Sequence, residues 1–132
     1  MARVLSASLA GVAFLCVFLC AGASPAFAHH SLAVYDRGVS SSIEGVVKDY
    51  DFANPHVRLT VVVDNADGSK TDWEFESSNV SRMMSRGFNR VSARIGDKIT
   101  VHYNPMRSGA AGGFFTALTD SRGRTYGPIQ ER

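Results

Sequence analysis

The sequence predicts an all-β domain: a small OB-like five-stranded Greek-key barrel with one short helix. Three observations carry this. Apolar and polar residues alternate at strand period over residues 57–63 and again over 98–103. One stretch, residues 77–86, switches to helical period. The resulting order, three strands, a helix, then two strands with a Gly96-Asp97 turn before the fourth, is the order of an OB-type barrel. An open β-sandwich of similar strand count fits the same local patterns and stands as the alternative.

Residues 1–28 read as a secretory signal peptide. Arg3 supplies the charged start, residues 4–20 an apolar run, and Ala21, Gly22, Ala23 and Ser24 a small-residue exit before Ala26-Phe27-Ala28, which looks like a signal-peptidase site. Cleavage after Ala28 makes His29 the amino terminus, and cleavage after Ala26 is the alternative. With no later stop-transfer run, the mature chain is expected in the periplasm without a transmembrane segment. Lipid attachment at Cys16 or Cys20 is the rival reading, disfavoured because Leu15 and Leu19 stand where that processing wants a small residue. Both cysteines leave with the signal, so the mature chain has no internal disulfide and depends on packing. With Arg3 removed, the 14 Lys and Arg become 13, against 12 Asp and Glu. So balanced a charge, together with export, argues against a nucleic-acid partner.

Residues 29–42 are expected as an irregular lead and residues 43–128 as the barrel. The first strand spans 43–52, with β-branched and aromatic residues mixed with charge, and Asn54-Pro55 interrupts it. The second, with Val57, Leu59, Val61 and Val63 on one face, ends at the turn Asp64-Asn65-Ala66-Asp67-Gly68. The third returns with Trp73 and Phe75 between Asp72, Glu74 and Glu76. Val80, Met83 and Met84 mark the helix, which Ser77 or Ser78 can cap and Gly87 can end. In the fourth strand Ile99, Val101 and Tyr103 face the core and His102 faces away. A fifth strand covers 114–119, and a short last one lies near Thr125 and Tyr126. Asn54-Pro55-His56 then joins the first two strands and Asn104-Pro105-Met106 the fourth and fifth, the two loops that flank the usual binding face of this fold.

Taken in order, Ala28-His29-His30-Ser31, Tyr35-Asp36, Glu44-Gly45-Val46-Val47, Asn54-Pro55-His56, Trp73-Glu74-Phe75-Glu76, Arg86-Gly87-Phe88 and Gly96-Asp97-Lys98-Ile99 form a recognisable series. The chain resembles the small exported bacterial proteins of domain-of-unknown-function family 6152. That resemblance implies an envelope location and a small β-barrel-like domain, and brings no activity with it. Such proteins commonly carry Trp where this chain has Phe52, which keeps an aromatic there.

The four histidines, His29, His30, His56 and His102, are the neutral-pH metal ligands. A free amine and imidazole on His29, with His30 adjacent, suit copper, which favours nitrogen donors in a tetragonal arrangement; His56 or His102 would close the site. Their spacing is not that of a structural zinc site. After cleavage at Ala26, a histidine in third place binds the same metals through backbone nitrogens. Met106 is a further soft donor, whereas Met83 and Met84 fit a core stripe. Catalysis has thin support: there is no mature cysteine, no Gly-x-Ser-x-Gly elbow and no phosphate-cradling loop, and copper oxidase or oxygenase chemistry through the histidines is the one enzymatic alternative. The expected function is therefore a non-enzymatic periplasmic protein that stores, delivers or senses copper. The alternative is an envelope interaction module holding a peptide, glycan or protein partner on a barrel face made by Tyr50, Phe52, Asn54, Arg58, Tyr103, Asn104, Met106 and Arg107.

Overall fold

The computed structural model describes residues 32–129. Six strands and one helix follow a single 3-10 turn at Leu32–Val34: β1 (Ser41–Asp51), β2 (Arg58–Asp64), β3 (Lys70–Glu76), α1 (Val80–Ser85), β4 (Lys98–Pro105), β5 (Gly112–Asp120) and β6 (Thr125–Tyr126). The antiparallel order β3-β2-β1-β4-β5 is closed by a parallel β3–β5 pairing, and the short β6 lies outside the ring against β5. This is a closed five-stranded barrel of the OB-type order, and the closing ladder rules out the open sandwich. The expected signal peptide, with His29 and His30, lies outside the described residues.

Closure of so few strands demands strong curvature, and two irregularities supply it. One is an extra residue in β1, Lys48 between Val47 and Asp49; the other is an extra residue in β5, Thr116, opposite the step from His102 to Tyr103 of β4; an extra residue on one strand bends it and sharpens its twist. Between the bends the sequence alternation holds. Leu59, Val61 and Val63 of β2 and Ile99, Val101 and Tyr103 of β4 point inward, where they meet Phe115 and Leu118 of β5. Each such fully buried side chain contributes roughly 1.5–3 kcal/mol over its exposed state.

Helix α1 has only six residues and is too short to persist alone. Its ends are held instead. The Asn79 carboxamide accepts a hydrogen bond from Arg82 N (2.9 Å), and that of Asn54, from the β1–β2 loop, accepts one from Val80 N (3.0 Å). At the other end Gly87, at φ 88°, donates to the Met84 carbonyl and Phe88 to that of Met83, a Schellman closure. Met83 and Phe88, the apolar pair of that motif, are both buried in the core.

Two expectations need correction. Ser77 is not the helix cap: it is wholly buried, its hydroxyl donating to the Phe115 carbonyl (2.8 Å), and Asn79 caps instead. β4 continues through Asn104 and Pro105, so these two are strand residues and the following loop starts later. The described part of the 29–42 lead is irregular up to β1, with a 3-10 turn and one isolated bridge, and backbone hydrogen bonds hold it to the end of β4. Tyr35 bridges Met106, Asp36 N donates to the Pro105 carbonyl (2.8 Å) and Arg107 N to that of Val34 (2.9 Å). β1 itself begins at Ser41, two residues before the expected start.

Candidate functional site

The face formed by β2, β3 and the β4–β5 loop holds a groove of about 320 Å³. Its floor is Leu59 and Phe75; Thr60, Glu74 and Glu76 rise from the two strands, Asp49 and Arg58 stand on one side, and Tyr35 with Met106 forms the far wall. Strand alternation explains the chemistry. The residues between the inward Leu59 and Phe75 project outward, and in β3 they are acidic.

Charge in the groove is lopsided. Asp49, Glu74 and Glu76 face a single cation, Arg58, whose guanidinium already pairs with Asp51 (2.8 Å). Asp51 first, then Asp49 and Glu76, hold the Arg58 guanidinium firmly protonated. Burial, reinforced by the Glu76 charge, raises the Tyr35 phenol above its ordinary value, so it remains a neutral donor at the wall.

His56 stands at the end of this groove. Its Nδ1 is 2.8 Å from Glu76 Oε1 and 3.2 Å from the Ser77 carbonyl. Two acceptors on one nitrogen assign the proton to Nδ1. His102 is placed differently: its Nε2 lies 3.1 Å from Thr119 Oγ1, and that hydroxyl is 3.0 Å from Thr125 Oγ1. Burial lowers its pKa, so His102 is neutral at pH 7. Among the described residues, no group of three or more His, Cys, Asp and Glu is placed to hold a metal ion.

The proposed partner face divides. Arg58 and Met106 line the groove. Arg107 is exposed and sits 3.5 Å from Asp36. Tyr50, Phe52, Tyr103 and Asn104 turn inward because the barrel closes around them, and Asn54 stays exposed. Phe52 and Tyr103 belong to the core, Tyr103 meeting Phe75 edge-on at 5.1 Å. Asn104 is buried and donates to the Val39 carbonyl (2.8 Å). Tyr50 is half-buried against the core, its hydroxyl donating to the Asn89 carbonyl (3.3 Å), and burial raises its pKa. Asn54 is occupied in capping α1.

A larger hollow, about 490 Å³, lies between the Gly96 turn and the β5–β6 turn. Its two carboxylates are committed to those turns. Asp97 accepts from Arg94 N, and Asp120 from Arg122 N and Arg124 N, the backbone bonds at Arg124 and then Arg122 holding the Asp120 carboxyl below its usual range. The hollow is therefore a by-product of turn capping.

Of the groove residues the sequence reading had placed only Arg58 and Met106 on the partner face; Tyr35, Asp49, Thr60, Glu74 and Glu76, with the floor of Leu59 and Phe75, were not collected as a site. Tyr35 had a signal in the Tyr35-Asp36 motif, but only the pairing of this segment with Met106 brings it to the groove.

The family model described as "Family of unknown function (DUF6152)" matches residues 16–116, which takes in both groove-forming strands, the helix and the start of β5. The chain belongs to this family. The DUF6152 description names no activity, substrate or cofactor. No curated protein and no solved structure matches the chain. Among the described residues of this DUF6152 protein, no helix is long and apolar enough to cross a membrane.

Proposed function

We propose that this DUF6152 chain is an exported, non-enzymatic binding module whose β2–β3 groove receives a cationic side chain of a peptide or protein partner in the cell envelope. The observation that supports it most is the excess of carboxylates in the groove: Asp49, Glu74 and Glu76 against an Arg58 already paired with Asp51. Phe75 and Leu59 beneath them give an apolar floor for the stem of a lysine or arginine. An amidated oligolysine peptide titrated into the mature protein is expected to shift the amide resonances of Thr60, Glu74, Glu76 and Met106. Charge reversal at the exposed Glu74 (Glu74→Lys) is expected to weaken that binding about tenfold, roughly 1.4 kcal/mol. Equal affinity of the variant sinks this reading.

A second reading rests on His29 and His30 alone. Their position directly after Ala28 favours it: once exposed, the terminal amine and two imidazoles make a nitrogen-donor set suited to copper. Protein exported by a cell, its start at His29 verified by intact mass, is expected to bind copper one to one. The His29→Ala/His30→Ala double variant is expected to lose that stoichiometry. Affinity no tighter than that of a short peptide with the same terminus makes the histidines incidental.

A further inference from the structure

On the other side of Tyr35 from the acidic groove lies a second cleft, of about 290 Å³, with the opposite charge. Three arginines line it: Arg37 from the segment after the 3-10 turn, and Arg82 and Arg86 from α1 and its C-cap. Ser78 adds a hydroxyl. Among the described residues no carboxylate lines the cleft and none of the three arginines takes part in an ion pair.

Folding alone gives little reason for this arrangement. Arg82 and Arg86 stand four residues apart on one helical face, where like charges repel. Partial burial and then the Arg82 charge push the Arg86 guanidinium below its usual pKa, a sign that the cations are close and partly desolvated. The negative end of α1 favours a cation at Arg86. It does not account for Arg37, which arrives from a different part of the chain.

The remaining wall is apolar: Leu32, with the rings of Tyr35 and Phe114 at a centroid separation of 5.6 Å. Guanidinium groups bind phosphate and carboxylate in paired, planar hydrogen bonds, and a ring shelf beside them suits an apolar body attached to the anion. We propose that this cleft binds a small soluble oxyanion, a phosphate or carboxylate carried on an aromatic or aliphatic group. Arg37, Arg82 and Arg86 hold the anion, and Leu32, Tyr35 and Phe114 hold the body.

The test is a titration of the mature protein with phenyl phosphate, followed by amide chemical shifts, beside inorganic phosphate, benzyl alcohol and phosphatidylglycerol vesicles. Phenyl phosphate is expected to shift Leu32, Ser78, Arg82 and Arg86 and to bind more tightly than either fragment. Arg82→Gln/Arg86→Gln, and separately the exposed Arg37→Gln, are expected to weaken it about tenfold or more while the melting temperature holds. Glu74→Lys, which alters only the groove, is expected to bind phenyl phosphate like the parent, so failure of one site is distinguishable from failure of the other. Unchanged affinity in both arginine variants, or shifts spread evenly over the surface, overturns the proposal. So does inorganic phosphate binding as tightly as phenyl phosphate, which removes the role of the apolar wall, or binding to vesicles with no response to phenyl phosphate, which assigns the arginines to a lipid surface.

Discussion

Gly112→Ala is expected to destabilise the protein by about 3–5 kcal/mol and to break the ring between β3 and β5. The closing ladder is only three residue pairs long: Glu74 with Gly112, Phe75 with Gly113 and Glu76 with Phe114. Gly112 sits at φ 146°, where L side chains are strained, and a Cβ there would lie 1.9 Å from the Glu74 carbonyl oxygen. Neither atom can yield, because the Cβ is fixed by the Gly112 backbone and the oxygen is itself backbone. The chain must withdraw from β3 at this point, and Phe75, which lies opposite Gly113 and packs in the core, loses its support. Two measurements check this. Urea unfolding should show the lowered midpoint, and hydrogen exchange should accelerate first at Glu74, whose amide donates to the Ala111 carbonyl. A midpoint equal to that of the parent would mean the barrel does not depend on this ladder. Because Glu74 and Glu76 stand on the same three pairs, the variant is also expected to lose oligolysine binding.

Phe88→Ala is expected to cost a similar amount, about 3–5 kcal/mol, through a different route. Phe88 is the residue by which the Schellman turn at the end of α1 is fastened to the barrel. Its ring meets Phe115 edge-on at 5.9 Å and Tyr126 at 6.3 Å, and it is only 2% exposed. The packing is close enough that a Cβ on Gly127 would fall 2.5 Å from the ring. Truncation leaves a cavity between helix and barrel that the closed strands cannot collapse to fill. A six-residue helix cannot hold itself together without that contact, so Arg82 and Arg86 should lose their fixed positions as well. Thermal unfolding measures the first effect and phenyl phosphate titration the second. A loss below about 1 kcal/mol contradicts the assignment of Phe88 as a core anchor.

Comparison of these elements with the sequence shows what kind of information was legible. The inward stripes of β2 and β4 were, because burial on one side of a strand leaves a period of two that no distant contact needs to explain. The OB-type order was, because it follows from the sequence of periods. Gly87 as the helix stop was, because a left-handed residue after an apolar stripe has few other uses.

What stayed hidden depended on partners far along the chain. Ser77 looks like a cap by local rule, but its hydroxyl is drawn into the core by a carbonyl on β5. Asn54 reads as a turn former in Asn54-Pro55, yet its carboxamide serves a helix that begins at Val80. Asn104-Pro105 reads as a loop, although the ladder with β5, in register again after its extra residue Thr116, carries the strand through it. Tyr50, Phe52 and Tyr103 carry the same lesson for the site: aromatics beside charged neighbours looked like a binding surface, and closure of the barrel turned them to packing. The arginine cleft was invisible for the same reason, since Arg37 joins Arg82 and Arg86 only through the docking of the chain at Met106.

The brevity of the closing ladder also leaves the first half of β3, residues 70–73, with one side of its backbone lacking a strand partner among the described residues. Open backbone of this kind is where sheets recruit strands from other molecules and where aggregation begins. Here it is guarded by side chains. Lys70 and Asp72 alternate along it, each charged and each ion-paired, with Asp64 and Lys48 respectively. A foreign strand laid against this edge would have to bury both pairs. These charges make the edge a poor template for extending the sheet.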